Sequence, residues 1–227
     1  MELNVREAAR LLRVSERQIY RWIHDEEIPF SLVHDKPHFN RAELLEWATR
    51  RKMPVAVDAF TPSGATRTSA PGLVDALRAG GVHANVPGDD RESVLRAVVN
   101  LLELPPSVDR EFLYEVLLAR EAAGSTGIGN GIAIPHVRNP VVLNGAPASI
   151  TVCYLARPIP FDAIDGQPVH TIFSMISPTI EGHLQLLARL SWALHDDGFK
   201  ALIARRADAD ALVQEAARIE ASLPGKR

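Results

Sequence analysis

The chain has 227 residues, of which 46% are hydrophobic and 23% charged, with a net charge of −3. That suits one or two globular domains with their own cores, and the bulk charge gives no sign of a nucleic-acid binder. One cysteine, Cys153, excludes an internal disulfide framework; no apolar run approaches the ~18 residues of a bilayer span, and no secretory leader is visible, so a cytoplasmic protein without membrane insertion is expected.

Residues 1–52 read as a first unit. Asn4 with Glu7, Ser15 with Gln18 and Asn40 with Glu43 each place a capping residue three positions before Glu or Gln. Val14 with Ile19 and Phe39 with Leu44 are spaced as hydrophobic staples. Helices are therefore predicted over about 5–12, 16–25 and 41–51. Only Arg13, Val14 and Ser15 separate the first two, a helix-turn-helix spacing. The extended segments 28–33 and 34–39 predict a small wing. On the second helix Ile19, Trp22 and Ile23 face inward, while Arg17, Tyr20, Arg21 and His24 form one outward stripe. With Ser15 and Gln18 at its start, that stripe carries the residue types that reach base edges and phosphates in a major groove, or else forms a solvated face. Ten Lys and Arg stand against nine Asp and Glu in residues 1–52. A lone module this small makes few phosphate contacts, so modest affinity is expected unless the chain forms a homodimer.

Residues 53–71, rich in Pro, Ser, Thr and Gly, read as a linker. From 72 to about 222 helices and strands alternate, which implies an α/β domain with αβα layers and a mixed sheet. Helices are expected at 73–79, after Asp89 with Glu92 as its cap, at 109–121 with Phe112, Val116 and Ala119 inward, at 180–194, at 197–205 and at 208–220. Strands are expected at 81–83, 132–134, 150–155 (buried on both faces) and 169–176. Cys153 reads as an inert core thiol and His170 as a neutral surface position. His34 and His38 lack the carboxylate or thiolate company of a metal site, and neither metal nor cofactor is expected.

The segment Gly124–His136, GSTGIGNGIAIPH, carries the chemistry. Glycines let a backbone turn its N–H groups toward an anion, and the following apolar run delivers one imidazole. A neutral imidazole is a compact nucleophile near pH 7, and a phosphoryl group on its nitrogen can be accepted and passed on. Such a site needs donors and positive charge for the transferring oxygens. Ser125, Thr126, Gly127, Gly129, Asn130 and Gly131 are the candidate phosphate loop. Arg120 is a fork-shaped donor that stays charged.

Together with Leu118-Ala119-Arg120-Glu121, this segment resembles the EIIA proteins of the bacterial phosphotransferase system, in the fructose, mannitol and nitrogen-regulatory group. The resemblance implies His136 as phosphoryl acceptor, with His183 lying against it at the start of a helix before Leu184-Gln185-Leu186-Leu187. It implies an HPr- or NPr-like phosphocarrier as donor, an EIIB-like acceptor, and a phosphotransferase component rather than a turnover enzyme. Pro158–Pro168 matches a further motif, so the similarity spans about 72–220. Where the family has Gly after the histidine, Val137-Arg138-Asn139-Pro140 follows, and Val resists positive φ. The loop there is expected to differ, with Arg138 as an added donor or partner contact. Residues 5–23, Ile28-Pro29, and Arg41, Leu44 and Trp47 resemble the excisionase/MerR-like winged helix-turn-helix, which implies DNA or partner binding. Three readings stay open: a phosphorylated regulator, a soluble EIIA in a sugar-uptake relay with the first unit as adaptor, and a regulatory binder without phosphorylation.

Overall fold

The computed structural model describes residues 2–25, 27–33, 36–51, 53, 71–137 and 147–222. Most of the expected linker and the loop 138–146, with Arg138, lie outside the described residues, as does His34.

The first unit runs β1 (Glu2–Leu3), α1 (Val5–Leu11), α2 (Glu16–His24), β2 (Ser31–Val33), β3 (Lys36–Asn40) and α3 (Arg41–Arg50). Asn4 closes a capping box with Glu7, and the Ser15 hydroxyl accepts from the Gln18 amide at 3.2 Å, so each cap begins its helix where the spacing placed it. β2 and β3 pair antiparallel as the wing, and β1 adds to the far edge of β3. Ile19, Leu44 and Phe39 are fully buried among them.

The second unit contains α4 (Leu73–Gly80), β4 (Val82–Val86), α5 (Arg91–Leu101), α6 (Arg110–Ala122), β5 (Gly127–Gly129), β6 (Ile132–Ala133), β7 (Ser149–Ile159), β8 (Val169–Ile176), α7 (Ile180–His195), α8 (Asp197–Ala204) and α9 (Ala209–Ser222). Its sheet has the order β4-β7-β8-β6-β5 and is mixed, with β4–β7 and β6–β8 parallel and the other two pairs antiparallel. The strand period of two divides the core. Ile150, Val152 and Tyr154 of β7 turn toward the layer of α4, α7 and α9, while Cys153 and Leu155 turn toward α5 and α6. Helices on both faces make the expected three layers and explain why β7 is apolar without alternation. Burial pushes the Cys153 thiol up to about 12, consistent with an inert core residue.

Three local expectations are corrected. The cap of α5 is Asp90, which exchanges bonds with Ser93, and Asp89 lies one residue outside. On α6 the buried residues are Leu113, Tyr114, Leu117 and Glu121; Phe112 and Ala119 are exposed and Val116 only half-buried, so the apolar stripe is rotated from the expected one. His170 is a half-buried packing residue. A Cβ on Gly131 would come within 2.3 Å of its ring, and Gly131 has φ +70°.

Candidate functional site

The site forms where β6 runs out of the sheet. Ile132 and Ile134 face the layer of α7, and two residues on, His136 points the same way, held by a parallel bridge to Met175 of β8. The residue is buried, at 2% exposure. Nδ1 lies 2.7 Å from the Ile134 carbonyl, which fixes it as the donor nitrogen and turns Nε2 toward the site.

Two expected partners converge there. Thr179 caps α7 by accepting from the Gly182 amide, and His183 in the first turn brings its ring centroid to 5.1 Å from that of His136. His183 is also 2% exposed, its Nε2 has no hydrogen-bond partner, and burial followed by the neighbouring His136 lowers its pKa to about 3. It is therefore a neutral imidazole with an unsatisfied polar atom. Arg120, from the last turn of α6, donates through Nη1 to the Gly124 carbonyl at 2.8 Å and turns Nη2 into the site.

The glycine-rich segment is not an open cradle. It is a β-hairpin: β5 and β6 pair antiparallel around Asn130 and Gly131, whose positive φ values of 55° and 70° are those of a type I′ turn. Its amides are largely committed inside the domain. Glu121, 1% exposed, accepts from the Thr126 amide at 2.9 Å and the Thr126 hydroxyl at 2.6 Å. Ser125 accepts from the Gly127 amide, and Asp165 from the Asn130 amide at 2.7 Å. Ser125 and Thr126 line the site, whereas Gly129, Asn130 and Gly131 lie along the hairpin and its turn. Val137 has no positive φ and packs at 5% exposure in the α5/α6 layer.

One group was not anticipated. Glu46, from α3 of the first unit, enters the site with 4% of its side chain exposed. Its carboxylate pairs with Arg120 Nη2, and its other oxygen lies 3.2 Å from His136 Nε2. Thr49, one turn on, lines the same space, which is a cavity of only about 20 Å³. The rest of the seam includes Arg13 over the Trp192 ring at 5.5 Å, and one hydrophobic cluster runs unbroken through both units. The available signal was a carboxylate inside the apolar run Leu44-Leu45-Glu46-Trp47-Ala48.

The stripe on α2 lies on the opposite character of surface. Arg17, Tyr20, Arg21 and His24 are exposed, Tyr20 at 53%, while Gln18 is half-buried and Ser15 serves as the cap. Among the described residues no helix is long and apolar enough to cross a membrane.

Residues 76–217 match the family model described as phosphoenolpyruvate-dependent sugar phosphotransferase system, EIIA 2, and residues 2–52 match a helix-turn-helix domain model. The chain is 41% identical to a nitrogen regulatory protein of Pseudomonas aeruginosa over 57% of its own length and 84% of the relative's. It is 34% identical to the fructose-specific EIIABC component of Bacillus subtilis over 58% of its length, which spans 21% of that longer protein. Among solved structures it resembles nitrogen regulatory protein IIA-Ntr from Neisseria meningitidis, with TM-score 0.52 and 28% identity over 61% of this chain and 93% of that one. The mixed sheet with helices on both faces, the paired imidazoles and the match over most of the second unit agree: the chain belongs to the EIIA type 2 family of the phosphotransferase system and carries a helix-turn-helix domain ahead of it.

Proposed function

We propose that this protein is a phosphohistidine regulator: His136 accepts a phosphoryl group from an HPr- or NPr-like phosphocarrier, and the helix-turn-helix unit reports that state to DNA or a partner. The observation that carries the reading is the tautomer lock on His136. With Nδ1–H committed to the Ile134 carbonyl, the lone pair available to phosphorus is on Nε2, the nitrogen that faces the Glu46 carboxylate to which Arg120 donates.

The chemistry is symmetric. The P–N bond on the donor ring breaks as a new one forms at His136 Nε2, and the donor ring recovers the lone pair that His136 gives up. No oxidant, metal or water enters. Arg120 neutralises charge on the phosphoryl oxygens, and neutral His183, in the tautomer protonated at its unpartnered Nε2, donates to one of them. Transfer onward to an EIIB-like acceptor uses the same steps in reverse order of partners. Exposed Arg17, Tyr20 and Arg21 favour the α2 face as the DNA-contacting surface.

Incubation of the full chain with a phosphorylated phosphocarrier protein should add the mass of one phosphoryl group. The adduct should be acid-labile and absent from His136→Ala. A chain that stays unmodified under those conditions would remove the relay and leave a two-module binder.

A further inference from the structure

We propose that Glu46 is a built-in stand-in for the phosphoryl group, so that α3 docks at His136 only while His136 is unphosphorylated, and phosphorylation expels the helix-turn-helix unit from this face. The proposal rests on the reading of His136 as phosphoryl acceptor and adds the regulation of that site.

Three observations carry it. The Glu46 carboxylate touches Arg120 and His136 Nε2, the cation and the nitrogen that a phosphoryl group there would use. Both are nearly sealed, with 8% of the Arg120 side chain and 3% of the His136 ring exposed, so no donor ring can approach Nε2 while α3 is seated. The remaining space of about 20 Å³ holds about one water and cannot take a PO₃ group as well.

Charge sharpens the exclusion. A phosphoryl group brings close to two negative charges to a place already holding a carboxylate, and like charges there are strongly unfavourable. The docked state also blocks the nucleophile. Glu46 stands 3.2 Å from Nε2, on the side from which phosphorus would have to approach the nitrogen. When α3 leaves, the approach to Nε2 opens and its lone pair can attack phosphorus. The Glu46–Arg120–His136 contact is suited to a switch because the desolvation cost of a buried ion pair roughly offsets its attraction. Removing only the carboxylate, however, leaves a buried guanidinium uncompensated, so docking depends on which anion Arg120 holds. Coupling is reciprocal: whatever docking takes from phosphorylation, phosphorylation takes from docking.

The test uses the full chain and potassium phosphoramidate, a small donor that needs no protein docking surface. Its P–N bond breaks as that to His136 Nε2 forms, and ammonia leaves with the electron pair. Two quantities are followed by mass spectrometry, the phosphoryl adduct and backbone hydrogen exchange over residues 41–51. In wild type, exchange in α3 should accelerate in proportion to the adduct. Glu46→Ala and the isosteric Glu46→Gln should be phosphorylated roughly tenfold faster, because the competent fraction limits the rate. A phosphoprotein whose α3 amides stay as protected as before overturns the proposal and leaves the His136 reading standing. No adduct on wild type or variants overturns both. If the variants fail to fold, the exchange measurement on wild type decides by itself.

Discussion

His183 shows how burial sets the charge of a single group. It packs against His136 near Glu46, Arg120 donates to that carboxylate, and desolvation holds its pKa down at about 3 against an ordinary 6.5. The positive charge in the site therefore comes from Arg120, while His183 offers a neutral ring. The depressed value has a stability consequence of definite sign. Below about pH 6.5 the unfolded chain protonates His183 and the folded chain does not, so stability falls as pH falls, and the loss continues down to about pH 3. One such proton is worth up to about 1.4 kcal/mol per pH unit. Carboxylates begin to titrate below about pH 5, so the informative window is pH 5 to 6.5. Urea unfolding there should show wild type losing stability more steeply than His183→Gln. Parallel curves would mean that the ring is not held neutral.

Helix ends and strand parity account for most of how the elements sit, and where they mislead the cause is visible. The caps at Asn4 and Ser15 were legible because a short polar side chain three residues before an amide has one good use. The α6 stripe was not, since Phe112 and Leu113 are adjacent apolar residues and periodicity alone does not choose between them. The hairpin of β5 and β6 was hidden for a related reason: a Gly-rich run suits a phosphate loop and an Asn-Gly turn equally well, and only the pairing of Gly127 with Ala133 decides. The start of α4 shows a remedy that comes from far along the chain. Its cap residue, Gly72, has no side chain, and the Leu73 amide instead donates to Glu220 of α9 at 2.7 Å. Glu220 also accepts from Arg189 of α7 at 2.7 Å, so one carboxylate ties three helices together. Glu220→Ala leaves a half-buried guanidinium and a helix amide unpaired, which should cost about 2–3 kcal/mol. Thermal unfolding should drop by roughly 5–10 °C for a chain of this size, and Glu220→Gln, which keeps an acceptor for Leu73, should lose less.

At the scale of the whole molecule the sequence shows two units but not their mutual arrangement. Arg41, Leu44 and Trp47 read as the third helix of a small domain, and nothing in that pattern says what its outer face meets. The structure buries Leu44 through Thr49 on every side, because α3 also packs on α7 and β5. Glu46 is thus placed by long-range packing, which periodicity cannot report. Seating α3 leaves α2 outward, with Arg17, Tyr20, Arg21 and His24 all exposed, so contact with DNA does not require the units to part. Residues 1–52 carry nearly balanced charge, with ten Lys and Arg against nine Asp and Glu, so any affinity must come from the placement of a few cations rather than from bulk attraction. Retention of the full chain on mixed-sequence duplex DNA, measured across a salt series, reads this directly. Each phosphate contact contributes about 0.9 to the slope of log K against log salt, so replacing both Arg17 and Arg21 by Ala should lower the slope by roughly 2. Substitution of exposed Arg205, on the far unit, should leave it unchanged. Retention that ignores both salt and the two arginines would assign the α2 face to a protein partner and remove DNA from the account.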